Sequence, residues 1–369
     1  MTTIPLEVVN KKTGEYVFPK IDNKIDEHDF IQTLPTSFPE FSVSAPSATP
    51  PLLQNIYPLS YCIPDECFVN FESISKNKIF EIANLIPNDT KTYKFRANEE
   101  KEYNNLYQQS LFAHTNKKGG WDCLRHYEIL ANGCIPIFKD LDNCPQNTLT
   151  TLPKELIIEA NQLLLPWNYN NKPLYDEFLK RILNHCISHC STSSTIDYFF
   201  SKMPHLKTKT KNVLLIRGNS GVNYTRETFW IGMKRYIQNL GGVSTEYPKI
   251  DYLYKNFKGE KQHLYGNGFT YAYRLEDDYN FNSEEIIEKI NQKFFDLIIY
   301  GKVGPDELYE GSHPNMPLWD HIFKKYNKEQ IVFLYGGDEC IDLTYNNKYK
   351  EHIMYHSQYA HCFVRELRI

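Results

Sequence analysis

The sequence predicts an α/β protein of two domains, each built on a parallel sheet. Short apolar segments alternate with segments of helical spacing along most of the chain, as expected for parallel strands joined by crossover helices. Several apolar segments in the second half end in polar loops that contain glycine. With 369 residues, the chain is also long enough to form two hydrophobic cores of ordinary size.

The first half is predicted to contain an extended arm and then a Rossmann-like domain. Residues 1–55 are rich in Pro, Ser and Thr and bury little apolar surface, so they are predicted to be extended. The domain is expected over residues 56–205. Its predicted elements are helices at 78–83, 99–109, 122–132, 153–165 and 175–189, and strands at 111–114 and 134–138.

The second half, residues 211–369, is predicted to be another Rossmann-like domain after a Lys/Thr-rich connection at 201–211. Its predicted elements are strands at 212–216, 295–300, 330–335 and 361–364, and helices at 225–240, 283–293 and 317–326, with Ser283 as an N-cap. Three of these strands end in glycine loops, and ligands bind beyond the carboxyl ends of strands in open parallel sheets. The alternative is that the glycines only make tight strand-to-helix turns.

The composition of the chain disfavours several classes of protein: nucleic-acid-binding, disulfide-rich and membrane-spanning proteins. The net charge of −4 and the lack of a long basic run disfavour nucleic acid as the main partner. An odd number of cysteines, nine, without regular spacing disfavours a disulfide framework and suits a reducing compartment. No signal peptide and no run of about 18 apolar residues is evident. We therefore expect a cytoplasmic protein without a membrane span.

Residues 110–138 contain the clearest binding motif, which is a strand, a basic glycine loop, a helix, a glycine and a second strand. Gly119 and Gly120 permit close approach of the backbone to a ligand. Asp122 is a predicted N-cap, and the free N–H groups of a helix N-terminus suit a diphosphate. Lys117 and Lys118 would add positive charge in this loop.

Arg125 and Glu128 follow on the predicted helix, three residues apart and therefore on one face. The planar guanidinium of an arginine can bond two diphosphate oxygens at once. A carboxylate one turn away can accept two hydrogen bonds from a ribose diol. The alternative is an exposed ion pair, which would contribute little to stability.

The same segment resembles a known family. The features it shares are a short apolar strand, a glycine loop, Arg125, Glu128 and the run 132–137, Asn-Gly-Cys-Ile-Pro-Ile, with Pro145 after the strand. By these features it resembles the donor-binding half of exostosin-like glycosyltransferases, which have the GT-B architecture.

The resemblance implies a hexosyl- or pentosyltransferase that moves a sugar from a nucleotide-sugar donor to a glycan or another hydroxyl acceptor, without a metal or other cofactor. It further implies that Arg125 contacts the donor diphosphate and Glu128 the ribose. The remaining donor-site residues would be His114, Lys117, Gly119, Gly120 and Pro136, with Ile137 beside Pro136 on the nucleobase side.

The order of the two halves departs from that family, in which the acceptor domain normally precedes the donor domain. Residues 363–367 resemble the end of an acceptor domain, and residues 56–64 resemble the segment that usually follows it. A circularly permuted GT-B fold would explain both, since permutation is tolerated where termini lie close together at a surface. The alternative is an unrelated second domain.

Glycosyl transfer builds negative charge on the leaving diphosphate, which basic side chains and a helix end can stabilise. An inverting reaction also needs a base for the acceptor proton. The candidate bases are Asp338 first, and then Glu339 and His313, with loop capping or simple solvation as the alternative for each. The candidates for the acceptor side of the cleft are Arg217, Gly218, Lys302 and Arg365.

Three other functions are compatible with the same motif. A nucleotide-sugar epimerase of the GT-B type would bind the donor without an acceptor. A non-catalytic protein would bind a nucleotide-sugar without turnover. A phage-type DNA glycosyltransferase would need a basic groove, which the acidic balance disfavours.

Overall fold

Two parallel sheets, of six and three strands, organise the residues described by the computed structural model, which are 55–218, 221–278, 280–303 and 316–369. Every strand pair in both sheets is parallel. The predicted α/β class is therefore confirmed, and the topology is consistent with Rossmann-like folds. The predicted arm lies outside the described residues except for Asn55.

The strands are β1 (Ile56–Pro58), β2 (Phe80–Ile82), β3 (Ser110–Thr115), β4 (Ile135–Phe138), β5 (Asn212–Ile216), β6 (Val243–Tyr247), β7 (Leu297–Tyr300), β8 (Ile331–Tyr335), β9 (Ile341–Asp342), β10 (His361–Val364) and β11 (Leu367–Arg368). The α-helices are α1 (Phe71–Ile74), α2 (Glu100–Gln108), α3 (Leu124–Ala131), α4 (Lys154–Leu164), α5 (Lys172–His189), α6 (Thr192–Lys202), α7 (Pro204–Lys207), α8 (Tyr224–Asn239), α9 (Ser283–Asn291), α10 (Trp319–Phe323) and α11 (Lys348–His356).

The larger sheet has the strand order β1-β10-β8-β7-β5-β6. Alternate residues of β5 point to opposite faces, so Val213 and Leu215 pack in one core while Leu214 and Ile216 pack in the other. Helices α6 and α8 cover the first face, and α9, α10 and α11 cover the second. Burial on both faces explains why these strands are continuously apolar in the sequence.

The direction of winding reverses at β5, because the chain goes to β6 on one side and returns to β7 on the other. Such a reversal is a topological switch point, and ligands of doubly wound sheets bind in the crevice outside the strand ends there. The loops that follow β5 and β7 therefore flank a possible ligand crevice.

The smaller sheet has the order β2-β3-β4. Phe112 of β3 packs in a core with α3, α4 and α5, and Ala113 faces α2 on the opposite side. The outer edge of β4 is covered by Asn161 of α4, whose amide accepts from the Phe138 N–H at 3.3 Å and donates to the Pro136 carbonyl at 3.0 Å. This side chain satisfies backbone groups that an open edge strand would leave unpaired.

Two segments from before residue 205 pack with the larger sheet. Strand β1 pairs with β10, and Leu59 continues the ladder by donating its N–H to the Val364 carbonyl at 2.8 Å. Helix α6 packs on α8, where the rings of Phe199 and Phe229 are 5.1 Å apart. The described residues all belong to one compact unit.

The helix predicted at residues 78–83 is wrong, because Phe80–Ile82 form strand β2. Phe80 lies opposite Ser110 of β3 and Ile82 lies opposite Phe112. The ammonium of Lys78 donates to the Ser110 carbonyl at 2.8 Å and also reaches the Gly133 carbonyl, so it fastens the start of β2 to the rest of the sheet. Aromatic and β-branched residues at this position favour a strand over the helical spacing.

Two predicted N-caps are also wrong. Cys123, and not Asp122, occupies the N-cap position of α3, and no side chain caps this helix. Asp122 instead accepts the Tyr61 N–H at 3.0 Å. Helix α9 is capped by Asn282 in a reciprocal capping box with Glu285, so Ser283 is the first helical residue. No described helix is both long enough and apolar enough to cross a lipid bilayer.

Candidate anion-binding site

A cavity of about 300 Å³ opens beyond the carboxyl ends of β2 and β3. One wall is the loop after β2, and the other is formed by the glycine loop after β3 and the first turn of α3. We call this the cationic cavity. Its lining residues are Leu85, Ile86, Asn88, Asp89, Thr90, Tyr93, Lys118 and Arg125.

Two positive side chains, those of Lys118 and Arg125, line the cationic cavity. The guanidinium of Arg125 lies 5.5 Å from the centre of the Tyr93 ring, and the Lys118 ammonium donates to the Asn88 side-chain oxygen at 2.5 Å. Neither forms an ion pair with any described residue. The carboxylate in the lining, Asp89, accepts the Lys91 N–H at 2.9 Å. These two neighbouring cations favour the binding of an anion. The nearby negative charges are Asp89 in the lining and the buried Glu128, whose charge acts on Arg125.

The pKa of Lys118 is affected by its position in the cavity wall beside Arg125. Partial burial, and after it the nearby charge of Arg125, lower this pKa from its usual value. The uncapped N-terminus of α3 adds the positive end of a helix dipole next to Arg125. The cationic cavity therefore suits a ligand with a phosphate or diphosphate group.

Glu128 lies behind the cavity and not in its lining. Its side chain is only 8% exposed. One carboxylate oxygen accepts the Tyr103 hydroxyl at 2.5 Å, and the other accepts the Thr270 hydroxyl at 2.5 Å. Burial raises the pKa of Glu128. The alternative of an exposed Arg125–Glu128 ion pair is therefore wrong, and the predicted ribose acceptor is held by two hydroxyls of its own chain.

The glycine loop packs directly against two loops of the larger sheet. A methyl group added to Gly119 would lie 2.5 Å from Oδ2 of Asp338, in the loop after β8. A methyl group added to Gly120 would overlap the carboxylate of Glu366, in the loop after β10. The structure thus brings the predicted base Asp338 next to the predicted donor loop, although they are far apart in the sequence.

Replacing Gly120 with Ala is expected to lower the free energy of unfolding by about 1–3 kcal/mol, the usual cost of overpacking. Glu366 is buried and cannot move away, since it accepts the Asp122 N–H at 2.8 Å. Gly337→Ala is the matched control, because the nearest atoms to a methyl group there belong to the exposed side chain of Glu339, which can move away. Denaturant unfolding measures the free energy of unfolding of both variants. If Gly120→Ala is as stable as the control variant, Gly120 has no packing role.

Arg365 lies beneath these loops and does not face the cleft. Its guanidinium is fully buried and donates to the carbonyls of Asp122 and Gly337, to the carboxylate of Asp338, and to Glu366 at 3.1 Å. It therefore joins the glycine loop of the smaller sheet to two loops of the larger sheet.

The other predicted donor residues lie beside the cavity. His114 is half-buried in β3 opposite Ile137, and burial lowers its pKa. Lys117 is exposed, with its ammonium 5.2 Å from the Trp121 ring. Pro136 is buried in β4. Lys118, and not Lys117, is thus the loop lysine that lines the cationic cavity.

The predicted acceptor-side residues Arg217, Gly218 and Lys302 meet at the switch point of the larger sheet. Gly218 has a φ of +74°, and a side chain there would approach the Lys302 carbonyl at 3.0 Å. Of the remaining candidate bases, Glu339 is exposed and folds back over Gly337. His313 lies outside the described residues.

Sequence reasoning missed His126, which fixes the glycine loop at both ends. One ring nitrogen bonds the Thr115 hydroxyl at 2.8 Å, and the other bonds the Trp121 carbonyl at 2.9 Å. Complete burial lowers the pKa of His126 to about 4. The neutral ring therefore donates to Trp121 and accepts from Thr115. No sequence signal distinguishes this histidine from an ordinary core residue.

His126 should make the protein less stable in mild acid. The unfolded chain binds a proton at the usual pKa of 6.5, whereas the folded chain binds it near 4, so the contribution is complete above pH 6.5 and declines as the pH falls. Between pH 7.5 and 5.5 we expect a loss of about 1 kcal/mol. Urea unfolding at both pH values should show a loss in His126→Gln that is smaller than the wild-type loss by about this amount. The exposed His263, replaced by Gln, is the control. An unchanged pH dependence in His126→Gln would contradict the assignment.

Comparison with known proteins identifies no relative, since no protein-family model, curated protein sequence or solved structure matches this chain. Within the described residues, no group of three or more His, Cys, Asp or Glu side chains is arranged to hold a metal ion. The function is therefore inferred from the geometry and charge of the site.

Proposed function

We propose that this protein is a glycosyltransferase that moves a sugar from a nucleotide-sugar donor to a hydroxyl acceptor, and that the cationic cavity binds the donor diphosphate. One observation carries the proposal. Lys118 and Arg125, which form no ion pair with any described residue, converge on one cavity beside a glycine loop and an uncapped helix N-terminus. Loop backbone, helix dipole and two cations together are a strong combination for a diphosphate.

The acceptor side of the proposed reaction involves Asp338. This carboxylate is exposed and lies against Gly119, so it stands next to the loop that leads into the cavity. In an inverting reaction, the acceptor oxygen bonds the anomeric carbon while the bond from that carbon to the diphosphate breaks. Asp338 would take the acceptor proton, and Lys118 and Arg125 would stabilise the negative charge on the leaving diphosphate. These side chains supply positive charge without a metal or other cofactor.

The proposal includes a GT-B-type arrangement in permuted order. Strand β1, whose sequence resembles the segment after an acceptor domain, pairs with β10, whose sequence resembles the end of one. These two segments are therefore neighbours in one sheet although they lie near opposite ends of the sequence. This adjacency supports the permuted order over the alternative, an unrelated second domain. The cytoplasmic location and the preference against nucleic acid remain predictions from composition.

A second candidate function is nucleotide-sugar binding without turnover. The observation that favours it is the state of Asp338, because this candidate base is already paired with the buried guanidinium of Arg365, and an ion-paired carboxylate is a weaker base. A protein of this kind would bind a donor and release no nucleotide. An epimerase, by contrast, would convert the donor sugar without any acceptor.

Purified protein should be incubated with a panel of nucleotide-sugars, with and without hydroxyl acceptors, while thermal stability and nucleotide release are measured. We expect one donor to stabilise the fold and to release its nucleotide. Asp338→Asn should keep the stabilisation and lower the release rate by about 100-fold or more, as for loss of a general base. Asp320→Asn, an exposed aspartate on α10, is the control.

The outcomes separate the candidates. Stabilisation without nucleotide release, whatever the acceptor, would favour a binding protein. Conversion of the donor sugar without an acceptor would favour an epimerase. If no nucleotide-sugar stabilises the protein, the cationic cavity is not a donor site and the proposal fails.

A further inference from the structure

Asp89 places a carboxylate in the lining of the cationic cavity, where Lys118 and Arg125 supply positive charge. One of its oxygens, Oδ1, accepts the Lys91 N–H at 2.9 Å. Its other oxygen, Oδ2, accepts no hydrogen bond from any residue that the structure describes. A carboxylate oxygen in this position opposes the binding of an anion, unless the same ligand also offers it a hydrogen-bond donor.

The loop after β2 holds Asp89 in a fixed position. The Asp89 N–H donates to the Ile86 carbonyl at 3.1 Å, and the Asp89 carbonyl accepts the Thr92 hydroxyl at 2.8 Å. Asn88 has a φ of +71°, in the left-handed region that asparagine tolerates in turns. Its side-chain oxygen accepts the Lys118 ammonium, which ties this loop to the glycine loop on the opposite wall. The fold therefore sets the position of the carboxylate relative to the cations.

Part of the cavity lining is apolar. Leu85 is buried, Ile86 is partly buried, and the Tyr93 ring lies 5.5 Å from the Arg125 guanidinium. An inorganic phosphate gains nothing from such surface, because only apolar groups are stabilised by removal from water. The volume of about 300 Å³ is at the lower end of the range for small-molecule sites. The lining therefore suits a ligand that has an organic part besides its phosphate groups.

We infer that Asp89 is a specificity-determining residue of the cationic cavity, and that it selects an organic diphosphate whose other end presents N–H or O–H donors, as a nucleoside diphosphate does. The inference rests on the proposed function. Lys118 and Arg125 hold the phosphate groups, and Asp89 accepts hydrogen bonds from the organic part. A ligand of phosphate groups alone meets the same carboxylate without a donor for it. Asp89 therefore favours the nucleotide over inorganic pyrophosphate.

Asp89→Asn tests this inference, because it removes the negative charge at nearly constant shape. Asp89→Ser keeps the inference testable if the asparagine variant does not fold, since a serine hydroxyl can also accept the Lys91 N–H in this turn. Glu99→Gln is the matched control. Glu99 lies in the same connection between β2 and α2 and also accepts a backbone N–H, that of Arg96 at 2.7 Å, but it does not line the cavity.

The probes are inorganic pyrophosphate, the best binder among UDP, GDP and ADP, and its 2′,3′-dideoxy form, each titrated calorimetrically. We expect the ratio of the nucleotide Kd to the pyrophosphate Kd to rise about tenfold in both Asp89 variants, the usual contribution of one hydrogen bond to a charged group. The ratio in Glu99→Gln should stay within about twofold of wild type. A rise for the dideoxy form as well would identify the base as the donor, and a rise for the ribose form alone would identify the ribose hydroxyls.

An unchanged or lower ratio in the Asp89 variants, or an equal rise in Glu99→Gln, overturns the inference and leaves the proposed function standing. If pyrophosphate binds too weakly to titrate, the nucleotide Kd alone decides. An increase in the Asp89 variants then supports the inference, and an equal or smaller Kd overturns it, since loss of a purely repulsive charge would tighten binding. If no probe binds wild type or either Asp89 variant, the proposed function fails and the inference fails with it.

Discussion

Arg365→Met is expected to lower the free energy of unfolding by about 3–5 kcal/mol, the largest loss that we predict for a single substitution. The guanidinium is fully buried, and its removal leaves the buried carboxylate of Glu366 without its positive partner. It also frees the carbonyls of Asp122 and Gly337, which receive guanidinium N–H groups in the native protein. An unpaired buried charge costs more than the pair contributed when intact.

Arg368→Met is the matched control for this substitution. Arg368 is exposed and pairs with Asp342 at 3.5 Å, so its loss should cost less than about 1 kcal/mol. Urea unfolding of both variants measures the difference. Equal losses in the two variants would contradict a central role for Arg365 in joining the two halves.

The double variant Arg125→Ala with Lys118→Ala is expected to weaken nucleoside diphosphate binding about 100-fold. A hydrogen bond to a charged group contributes about 1.5 kcal/mol or more, so each side chain accounts for roughly a factor of ten. Both residues line the cationic cavity, and neither forms an ion pair within the described part of the chain. Their removal should therefore affect binding far more than folding.

Two controls keep this prediction specific. Arg181→Ala removes a surface guanidinium that lies 5.5 Å from the Phe178 ring, as Arg125 lies 5.5 Å from Tyr93. Lys117→Ala removes the neighbouring loop lysine, which does not line the cavity. Titration calorimetry should give nearly wild-type Kd values for both. An equal loss in Lys117→Ala would mean that general loop charge, and not the cavity, binds the ligand.

Local sequence patterns predicted much of the fold. The apolar runs at β5, β7 and β8 are strands because each is buried on both faces by helices, which leaves a continuous apolar signature. The glycine loop after β3 was also predictable, since it lies between an apolar strand and an amphipathic helix. These signals are local, and so is the clustering of Lys118 and Arg125 near one helix end.

Long-range contacts were not predictable from the same patterns. Arg365 looked like a cleft residue because a polar residue after a strand usually faces a crevice, yet the loops from the smaller sheet bury it. The contact of Thr270 with Glu128 joins residues 142 positions apart, and no periodicity encodes it. Strand β2 was mistaken for a helix because three residues carry too little periodic information. The resemblance to exostosin-like glycosyltransferases remains a prediction.

A crystal structure of the protein soaked with a saturating nucleoside diphosphate tests the central claim most directly. The account predicts density for the diphosphate inside the cationic cavity, within hydrogen-bond distance of both the Lys118 ammonium and the Arg125 guanidinium. Density for the diphosphate at the switch point of the larger sheet, near Arg217 and Lys302, with an empty cationic cavity, would contradict it.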